Sequence, residues 1–406
     1  MIPADDVLEA LDLSRAEPGS GFLEALFARF NAKVPFENAS KIVRHARVSD
    51  PAQKPRTPDV FWEEHLSSGT GGTCFARVAA FQELLSALGF RSRRLLGRVR
   101  SENDHAALLV ETAAGEVIAD VGFPLPAILP ARAGLCGTSQ GEMEVAVTAR
   151  GFRIAFLEGT PETPREIEVY GAPVSDEAFT TLWRETFRPK ALFLQEVVLR
   201  RDLGNRVLSF GGGEVRVDDL HSRLRVPSPA PREAALSELF GIDAEVLAAA
   251  FAIAGESADK AEKNARLTAY LETDAAPDAA HGAIATRDGY RKLLEGVADV
   301  ALGADSPGGF RLTLSAPSSG GSGPAIEEDI AIDGAERRVA VVRRHDGRES
   351  ASAYRVITRG EKTYLTREAE LAGRREDLLR NDSLRGRLAG TLAVDLLAWA
   401  RLLSRV

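Results

Sequence analysis

The hydrophobic pattern of this chain changes its period after residue 89, and this change limits the possible folds more than any other feature. Residues Phe75–Leu88 place apolar side chains at helical spacing and stop at Gly89, a residue suited to the left-handed position that ends a helix. The next apolar runs, His105–Glu111 and Glu116–Val121, read as strands, and the Thr-Ala-Ala-Gly segment between them suits a hairpin. The sequence therefore predicts helices followed by antiparallel sheet.

Strand-like segments dominate the middle of the chain, from Glu144 to Val217, and helices return after residue 232. Two successive helices are predicted at Glu233–Phe240 and Ala244–Ala254. A third helical stretch, Ala258–Leu271, leads into a segment rich in Ala, Asp and Pro that suits a linker. We place a domain boundary near residue 280.

The remaining residues predict a compact α+β unit. Helices are expected at Arg287–Leu302 and Leu384–Val406, with five strand-like runs between them. The segment Ser315–Pro324 has the composition of a flexible linker.

Composition excludes several classes of protein. Of the 406 residues, 44% are hydrophobic and 27% are charged, as in ordinary globular proteins. The net charge is −8, and the basic residues are scattered rather than clustered, so we expect no nucleic-acid partner. Two cysteines, Cys74 and Cys136, cannot form a disulfide framework or supply a zinc site by themselves.

The same features predict a cytoplasmic protein without a membrane segment. The acidic N-terminal residues do not fit a signal peptide, and the scarcity of cysteine suits a reducing compartment. The most apolar segment, Leu388–Ala400, is shorter than the roughly 20 residues that a transmembrane helix needs. No His spacing typical of a metal site is present, so no metal is expected.

Cys74 is the first candidate for chemistry. It lies in Gly71-Gly72-Thr73-Cys74-Phe75, directly before the clearest helix, where the helix dipole and unpaired N–H groups favour a thiolate. The same N–H groups could stabilise an oxyanion after attack on a carbonyl. Local context alone also fits an ordinary buried cysteine.

A cysteine nucleophile needs a base and a group that orients the base. His105 begins one predicted strand, and Asp120 lies near the end of the next. If these strands pair, the two side chains meet across the hairpin. Each residue alone also fits a strand-edge or turn position.

Four motifs in order resemble the arylamine N-acetyltransferase family. They are Val34-Pro35-Phe36-Glu37-Asn38, the Gly-Gly-Thr-Cys-Phe motif with its helix, His105 in HAALLV, and Asp120-Val121-Gly122-Phe123. The resemblance covers about residues 1–255. It implies an α+β, papain-like or transglutaminase-like cysteine-triad fold with helical, β-rich and α/β subdomains, followed by a C-terminal α+β extension.

The resemblance also implies roles for individual residues. Cys74 would be the nucleophile, His105 the base and Asp120 the orienting group. Cys74 would take an acetyl group from acetyl-CoA and pass it to an arylamine, arylhydrazine or related amine by ping-pong kinetics. The expected substrate-binding residues are those of the three motifs around the triad: Phe36, Glu37, Asn38, Gly72, Thr73, Phe75, Gly122 and Phe123.

The chain also departs from the family pattern. The family usually has Arg four residues before the cysteine, where this chain has Thr70, so another group must satisfy Glu37. Two other functions stay open: an amide synthase or other acyltransferase of secondary metabolism that uses the same triad, and a non-catalytic binding protein on the same fold. A screen of acyl-CoA donors would separate the two enzymes.

The expected domain organisation follows from these points. Residues 1–255 would form the catalytic domain, helical to about 90, β-rich over about 91–190, with a third subdomain over about 191–255. Residues 256–285 would be a helix and linker. Residues 286–406 would form a C-terminal α+β domain, in which arginine pairs such as Arg343-Arg344 suit a solvated face better than a phosphate site.

Overall fold

A computed structural model describes residues 3–159, 166–255, 264–294, 299–306, 308–315, 326–345, 348–359, 361–371 and 375–403. These residues form two compact units. The first unit contains residues 3–159, 166–220 and 228–255, and the second contains residues 221–227 and those from 264 onward. No helix of the described residues is long and apolar enough to cross a membrane.

The first unit begins with helices and continues with strands. Its helices are α1 (Ala4–Ala10), α2 (Ser20–Lys33), α3 (Ala39–Arg47), α4 (Pro58–Ser68), α5 (Cys74–Ala87), α6 (Asp176–Glu185), α7 (Arg232–Phe240) and α8 (Ala244–Ala254). Its strands are β1 (Phe36–Glu37), β2 (Ser92–Arg98), β3 (His105–Thr112), β4 (Gly115–Ala119), β5 (Leu129–Pro130), β6 (Gly134–Thr138), β7 (Gly141–Thr148), β8 (Gly151–Phe156), β9 (Glu166–Tyr170), β10 (Leu199–Asp202), β11 (Val207–Gly211) and β12 (Glu214–Asp218). Short 3-10 helices lie at Pro51–Gln53 and Leu192–Leu194.

Most strands of the first unit form one antiparallel sheet with the order β5-β4-β3-β2-β9-β8-β7-β6. Strands β1, β10, β11 and β12 pair antiparallel in that order. Helix α5 is the centre of the core, since Phe75, Phe81 and Leu85 are fully buried. Because α5 packs against β2 and β3, the residue at its start lies beside the β3–β4 hairpin.

The second unit combines eight strands with four helices among the described residues. Its strands are β13 (Ser222–Pro227), β14 (Ala265–Thr273), β15 (Asp299–Ser306), β16 (Gly309–Ser315), β17 (Ile326–Asp333), β18 (Arg338–His345), β19 (Arg348–Arg359) and β20 (Lys362–Leu371). They pair antiparallel in the order β13-β14-β20-β19-β18-β17-β16-β15. Its helices are α9 (Pro277–Gly282), α10 (Arg287–Leu293), α11 (Arg375–Arg380) and α12 (Asp382–Leu403). Trp399 of α12 is fully buried against Tyr354 of β19.

Two predicted helices of this region are wrong. Ala258–Leu271 forms strand β14 from Ala265 onward, because nine consecutive residues pair with β20 and bury Leu267 and Ala269; positions 256–263 lie outside the described residues. The helix predicted over Arg287–Leu302 ends at Leu293, and strand β15 begins at Asp299. Sheet pairing overrides the alanine-rich local preference here. The domain bounds 1–255, 256–285 and 286–406 stay a prediction, as does the linker at Ser315–Pro324, of which positions 316–324 lie outside the described residues.

Candidate active site

The three triad candidates lie at the ends of regular elements. Cys74 is the first residue of α5, and Thr73 directly precedes the helix. His105 is the first residue of β3, and Asp120 directly follows β4. Because β3 and β4 pair antiparallel, the start of one strand and the end of the other lie at the same edge of the sheet.

His105 and Asp120 are directly hydrogen-bonded. Nε2 of His105 lies 2.7 Å from Oδ2 of Asp120, and both side chains are buried. Oδ1 of Asp120 accepts hydrogen bonds from the backbone N–H groups of Gly122 and Phe123, at 3.0 and 2.8 Å. The carboxylate is therefore fixed on both oxygens, and it fixes the imidazole in turn.

Burial and charge act in opposite directions on the pKa of His105. Burial lowers the pKa, but the charge and hydrogen bond of Asp120, with a further contribution from the Cys74 thiol, raise it to about 10. The imidazole is therefore protonated at neutral pH, which is the state that pairs with a cysteine thiolate.

Gly122 lies where the cysteine and the imidazole meet. A Cβ at this position would lie 3.0 Å from Cβ of Cys74, 3.1 Å from Cε1 of His105 and 2.1 Å from the carbonyl oxygen of Ala106. Only glycine allows this approach without displacing the backbone. The contacts place Cys74 and His105 on the same side of the 120–123 turn.

The loop before β3 borders the thiol. Sγ of Cys74 lies 3.7 Å from the backbone oxygen of Asp104, and the cysteine is 6% exposed. The Asp104 carboxylate accepts hydrogen bonds from the backbone N–H groups of Val99, Arg100 and Ser101. The Asp104 carboxylate therefore fixes the backbone of the 99–104 loop, and this places the Asp104 carbonyl beside the Cys74 sulfur.

Arg77, one turn after Cys74 on α5, ties the surrounding segments together. It is fully buried and donates to the Val121 carbonyl at 2.7 Å, to Oδ1 of Asn31 at 2.8 Å and to the carbonyl of Val34. Burial lowers its pKa to about 9. Sequence reasoning missed this residue, although its position three residues after Cys74 placed it on the same helix face.

A cavity of about 570 Å³ opens onto Cys74 and His105. Aromatic side chains form much of its wall, and the ring of Phe36 meets that of Phe193 edge to face, with their centroids 5.4 Å apart. Phe123 packs against the His105 ring, with centroids 6.5 Å apart. The Cys74 thiol and the His105 imidazole therefore face an apolar space of small-molecule size.

The predicted substrate-binding residues divide into two groups. Phe36, Gly122 and Phe123 line this cavity, whereas Glu37, Asn38, Gly72, Thr73 and Phe75 are not among its lining residues. Phe75 is fully buried in the core against Phe179, with centroids 5.0 Å apart, and its role in substrate binding stays a prediction. Its side chain follows the buried face of α5.

Asn38 supports the cavity wall from behind. Its amide nitrogen donates to the carbonyls of Glu196 and Phe193, at 2.7 and 3.2 Å. Its amide oxygen accepts from the N–H of Val198 at 2.7 Å. The segment 193–198, which contributes to the lining of the cavity, is thus held by one buried side chain.

Local groups compensate for Thr70. The buried Glu37 carboxylate accepts hydrogen bonds from the backbone N–H and the hydroxyl of Ser40. Arg56, which is also buried, donates to the carbonyl of Gly71 and pairs with Glu64 at 2.7 Å. An arginine from the segment between α3 and α4 therefore holds the loop before Cys74, and a serine satisfies Glu37.

Lys41 also faces the cavity, and no motif of the sequence indicated this position. This residue of α3 is 5% exposed and lines the same space as Cys74. Burial lowers its pKa to about 8, although the nearby Cys74 opposes the shift.

The described part of the chain holds no group of three or more His, Cys, Asp or Glu side chains placed to bind a metal ion. Cys136, the second cysteine, lies on β6 and is partly buried.

Together, a helix headed by cysteine and a strand pair carrying His and Asp define a papain-like cysteine-triad fold. Comparison with known proteins adds a similarity to one family: residues 21–132 match a family model described as N-acetyltransferase. The arylamine N-acetyltransferase of Escherichia coli K12 is 36% identical over 109 residues, which are 25% of this chain and 36% of that protein. The arylamine N-acetyltransferase / N-hydroxyarylamine O-acetyltransferase of Salmonella typhimurium is 32% identical over 109 residues, which are 25% of this chain and 36% of that protein.

The chain thus spans about a third of the length of these curated relatives. Among solved structures, the fold is similar over a longer range. The arylamine N-acetyltransferase of Mycobacterium smegmatis has a TM-score of 0.55 at 20% identity, covering 63% of this chain and 99% of that one. The enzyme of Mycobacterium marinum in complex with CoA has a TM-score of 0.53 at 18% identity, covering 61% and 97%. The predicted resemblance and the predicted fold class are confirmed.

Proposed function

We propose that the first unit is an acetyl-CoA-dependent N-acetyltransferase that acts on arylamines, arylhydrazines or related amines. The observation that carries this proposal is the buried His105–Asp120 pair beside Cys74 at the mouth of an aromatic-lined cavity. The similarity of residues 21–132 to N-acetyltransferases supports the same reaction class.

In the first half-reaction, the Cys74 thiolate attacks the carbonyl carbon of the acetyl thioester. A bond forms between Sγ and that carbon, and the carbon–sulfur bond to CoA breaks. His105, protonated at neutral pH, gives its proton to the departing CoA thiolate. One thiolate replaces another, so the acetyl-cysteine stays reactive toward an amine.

In the second half-reaction, the amine nitrogen attacks the acetyl-cysteine carbonyl. The bond to Sγ breaks, and His105 takes the proton that the amine loses. Asp120 holds the imidazole by its Nε2 and stabilises the positive charge that returns to the ring.

The start of α5 supports the negative oxygen that both steps develop. Backbone N–H groups in the first turn of a helix have no partner within the helix, and Cys74 is the first residue of this turn. The N–H groups of Gly122 and Phe123 bind Asp120 instead, so they orient the triad rather than the substrate.

The expected co-substrate is acetyl-CoA, and the expected acceptor is a small amine. The Mycobacterium marinum structure contains CoA, which supports a CoA thioester as donor here. The rings of Phe36, Phe123 and Phe193 around the cavity support an aromatic acceptor. Cytoplasmic location stays an expectation.

Intact-protein mass spectrometry after mixing with acetyl-CoA tests the proposal. We expect one acetyl adduct on the wild type and on Cys136→Ala, and none on Cys74→Ala. Absence of the adduct from the wild type, or its presence on Cys74→Ala, would overturn the assignment. A series of acyl-CoAs of increasing chain length then separates an acetyltransferase from an acyltransferase that takes longer acyl groups.

A further inference from the structure

Lys41 is a buried cation with no carboxylate partner among the described residues. It is 5% exposed, and among the described residues the charge of nearby Cys74 favours its protonated form. Lysine is rarely buried unless it is paired, because removing its charge from water is costly.

Two other buried cations of the same unit, Arg56 and Arg77, are satisfied by the protein. Arg56 binds the Gly71 carbonyl and Glu64, and Arg77 has three oxygen acceptors. Lys41 differs from these two arginines, since no carboxylate of the described residues pairs with it.

The surroundings of Lys41 are aromatic and open to the cavity. Its Nζ lies 4.8 Å from the ring centroid of Phe187 and 6.0 Å from that of Phe193, and Phe193 packs on Phe36. Lys41, Phe36 and Phe193 all line the space that holds Cys74. An aromatic ring bound between these walls would bring a substituent to the ammonium group.

We propose that Lys41 binds a carboxylate carried by the aromatic acyl acceptor, so that the cavity selects aminobenzoate-like amines over neutral anilines. This inference rests on the proposed function, since it names the acceptor class of the same site. A carboxylate gives the ammonium group the charge-assisted hydrogen bond that the protein does not provide. The pKa of about 8 leaves Lys41 protonated at neutral pH, as this pairing requires.

The test compares two acceptors that differ mainly in charge, 4-aminobenzoate and its ethyl ester, with acetyl-CoA as donor. Lys41→Met is expected to lower kcat/KM for the acid by about 10- to 100-fold, the factor that a hydrogen bond to a charged group supplies, and to change the ester by less than about twofold. Lys33→Met is the matched control, because Lys33 pairs with Asp12 instead of lining the cavity. An unchanged acid-to-ester ratio in Lys41→Met would overturn the inference.

A donor arm separates the two possible sources of a carboxylate. If Lys41→Met impairs transfer from succinyl-CoA relative to butyryl-CoA and leaves the acid-to-ester ratio of the acceptors unchanged, the carboxylate belongs to the donor and the inference is wrong. If only the acceptor ratio falls, the inference stands.

Failure of the inference is distinguishable from failure of the proposed function. The Cys74 acetyl adduct reports the first half-reaction, and we expect it to form in the wild type and in Lys41→Met. Thermal stabilisation by 4-aminobenzoate reports binding without turnover; we expect it in the wild type and in Cys74→Ala, and a loss of it in Lys41→Met. Equal stabilisation of the wild type and Lys41→Met contradicts the inference whatever the activity.

Discussion

The charged groups on two sides of the cavity differ in the partners that the protein supplies to them. At the triad, Asp120 uses both oxygens and His105 is paired, so each charged group has its partner within the protein. On α3, Lys41 is 5% exposed and has no carboxylate partner among the described residues. A charged group whose partners all belong to the protein is held in one position, whereas a buried cation without a carboxylate partner can accept one from a ligand.

The largest expected effect, on kcat, comes from removing the charge of Asp120. Asp120→Asn keeps the shape but removes the group that raises the pKa of His105, so we expect kcat to fall by about 10⁴-fold. Steady-state kinetics measures the loss, and iodoacetamide alkylation of Cys74 should slow at neutral pH. Asp176→Asn, a change at an exposed carboxylate, is the control. Near-normal turnover in Asp120→Asn would show that the triad does not depend on this charge.

A smaller effect is expected from crowding the triad without changing its charge. Gly122→Ala would push its Cβ against the Ala106 carbonyl, Cys74 and His105. Displacement of this order is expected to lower kcat/KM by about 100-fold. Gly137→Ala is the matched control, since a Cβ there meets nothing within 4 Å. Equal activity of the two variants would contradict the close approach at Gly122.

The free energy of unfolding is expected to change in opposite directions when a buried arginine and a buried lysine are each replaced by methionine. Arg77→Met leaves three oxygen acceptors without a donor, so we expect the free energy of unfolding to fall by about 2–4 kcal/mol. Lys41→Met removes a buried charge that has no carboxylate partner among the described residues, so we expect the free energy of unfolding to rise by about 1–3 kcal/mol at pH 7. Urea denaturation measures both values. A loss of stability in Lys41→Met would mean that the ammonium group has a partner in the folded protein.

The smallest effect is a difference in the pH dependence of stability. Burial lowers the pKa of Lys41 to about 8 from 10.5, so between these values the unfolded chain binds more protons and the stability of the wild type rises with pH. The higher stability of Lys41→Met at pH 7 should therefore shrink as pH rises and vanish near pH 10.5.

For His105 the pH dependence of stability has the opposite sign. Its pKa is raised from 6.5 to about 10, so its contribution is complete below pH 6.5 and is lost as pH rises toward 10.

Denaturation of the wild type, Lys41→Met and Asp120→Asn at several pH values between about 6 and 10.5 separates these contributions. An advantage of Lys41→Met that is the same at pH 7 and at pH 10.5 would contradict the first. Equal pH slopes for the wild type and Asp120→Asn would contradict the second.

The sequence predicted the arrangement of Cys74, His105 and Asp120 because each residue lies at the boundary of a strongly patterned element. A helix that begins at Cys74 and a hairpin that joins β3 to β4 leave little freedom in where these side chains meet. The helix α8 likewise has its predicted bounds, since Asp243 caps it and Gly255 ends it.

Other residues could not be predicted, because their roles depend on distant segments. Lys41 and Arg77 are charged residues on helices, and such residues usually face water. Their burial follows from the aromatic segment around 187–193 and from the β4 end, which the local sequence does not reveal. Strand β14 was missed for the same reason, because its partner β20 lies about a hundred residues further along the chain.

The three hydrogen bonds of Asn38 have a consequence for how the cavity discriminates between molecules. They join residues separated by 155 to 160 positions in the chain, so the wall at 193–198 becomes ordered when the protein folds. The conformational entropy of that wall is then lost before any small molecule arrives, and binding need not oppose it again. Because this wall keeps one form, amines that fit it well should dissociate more slowly than amines that fit it poorly.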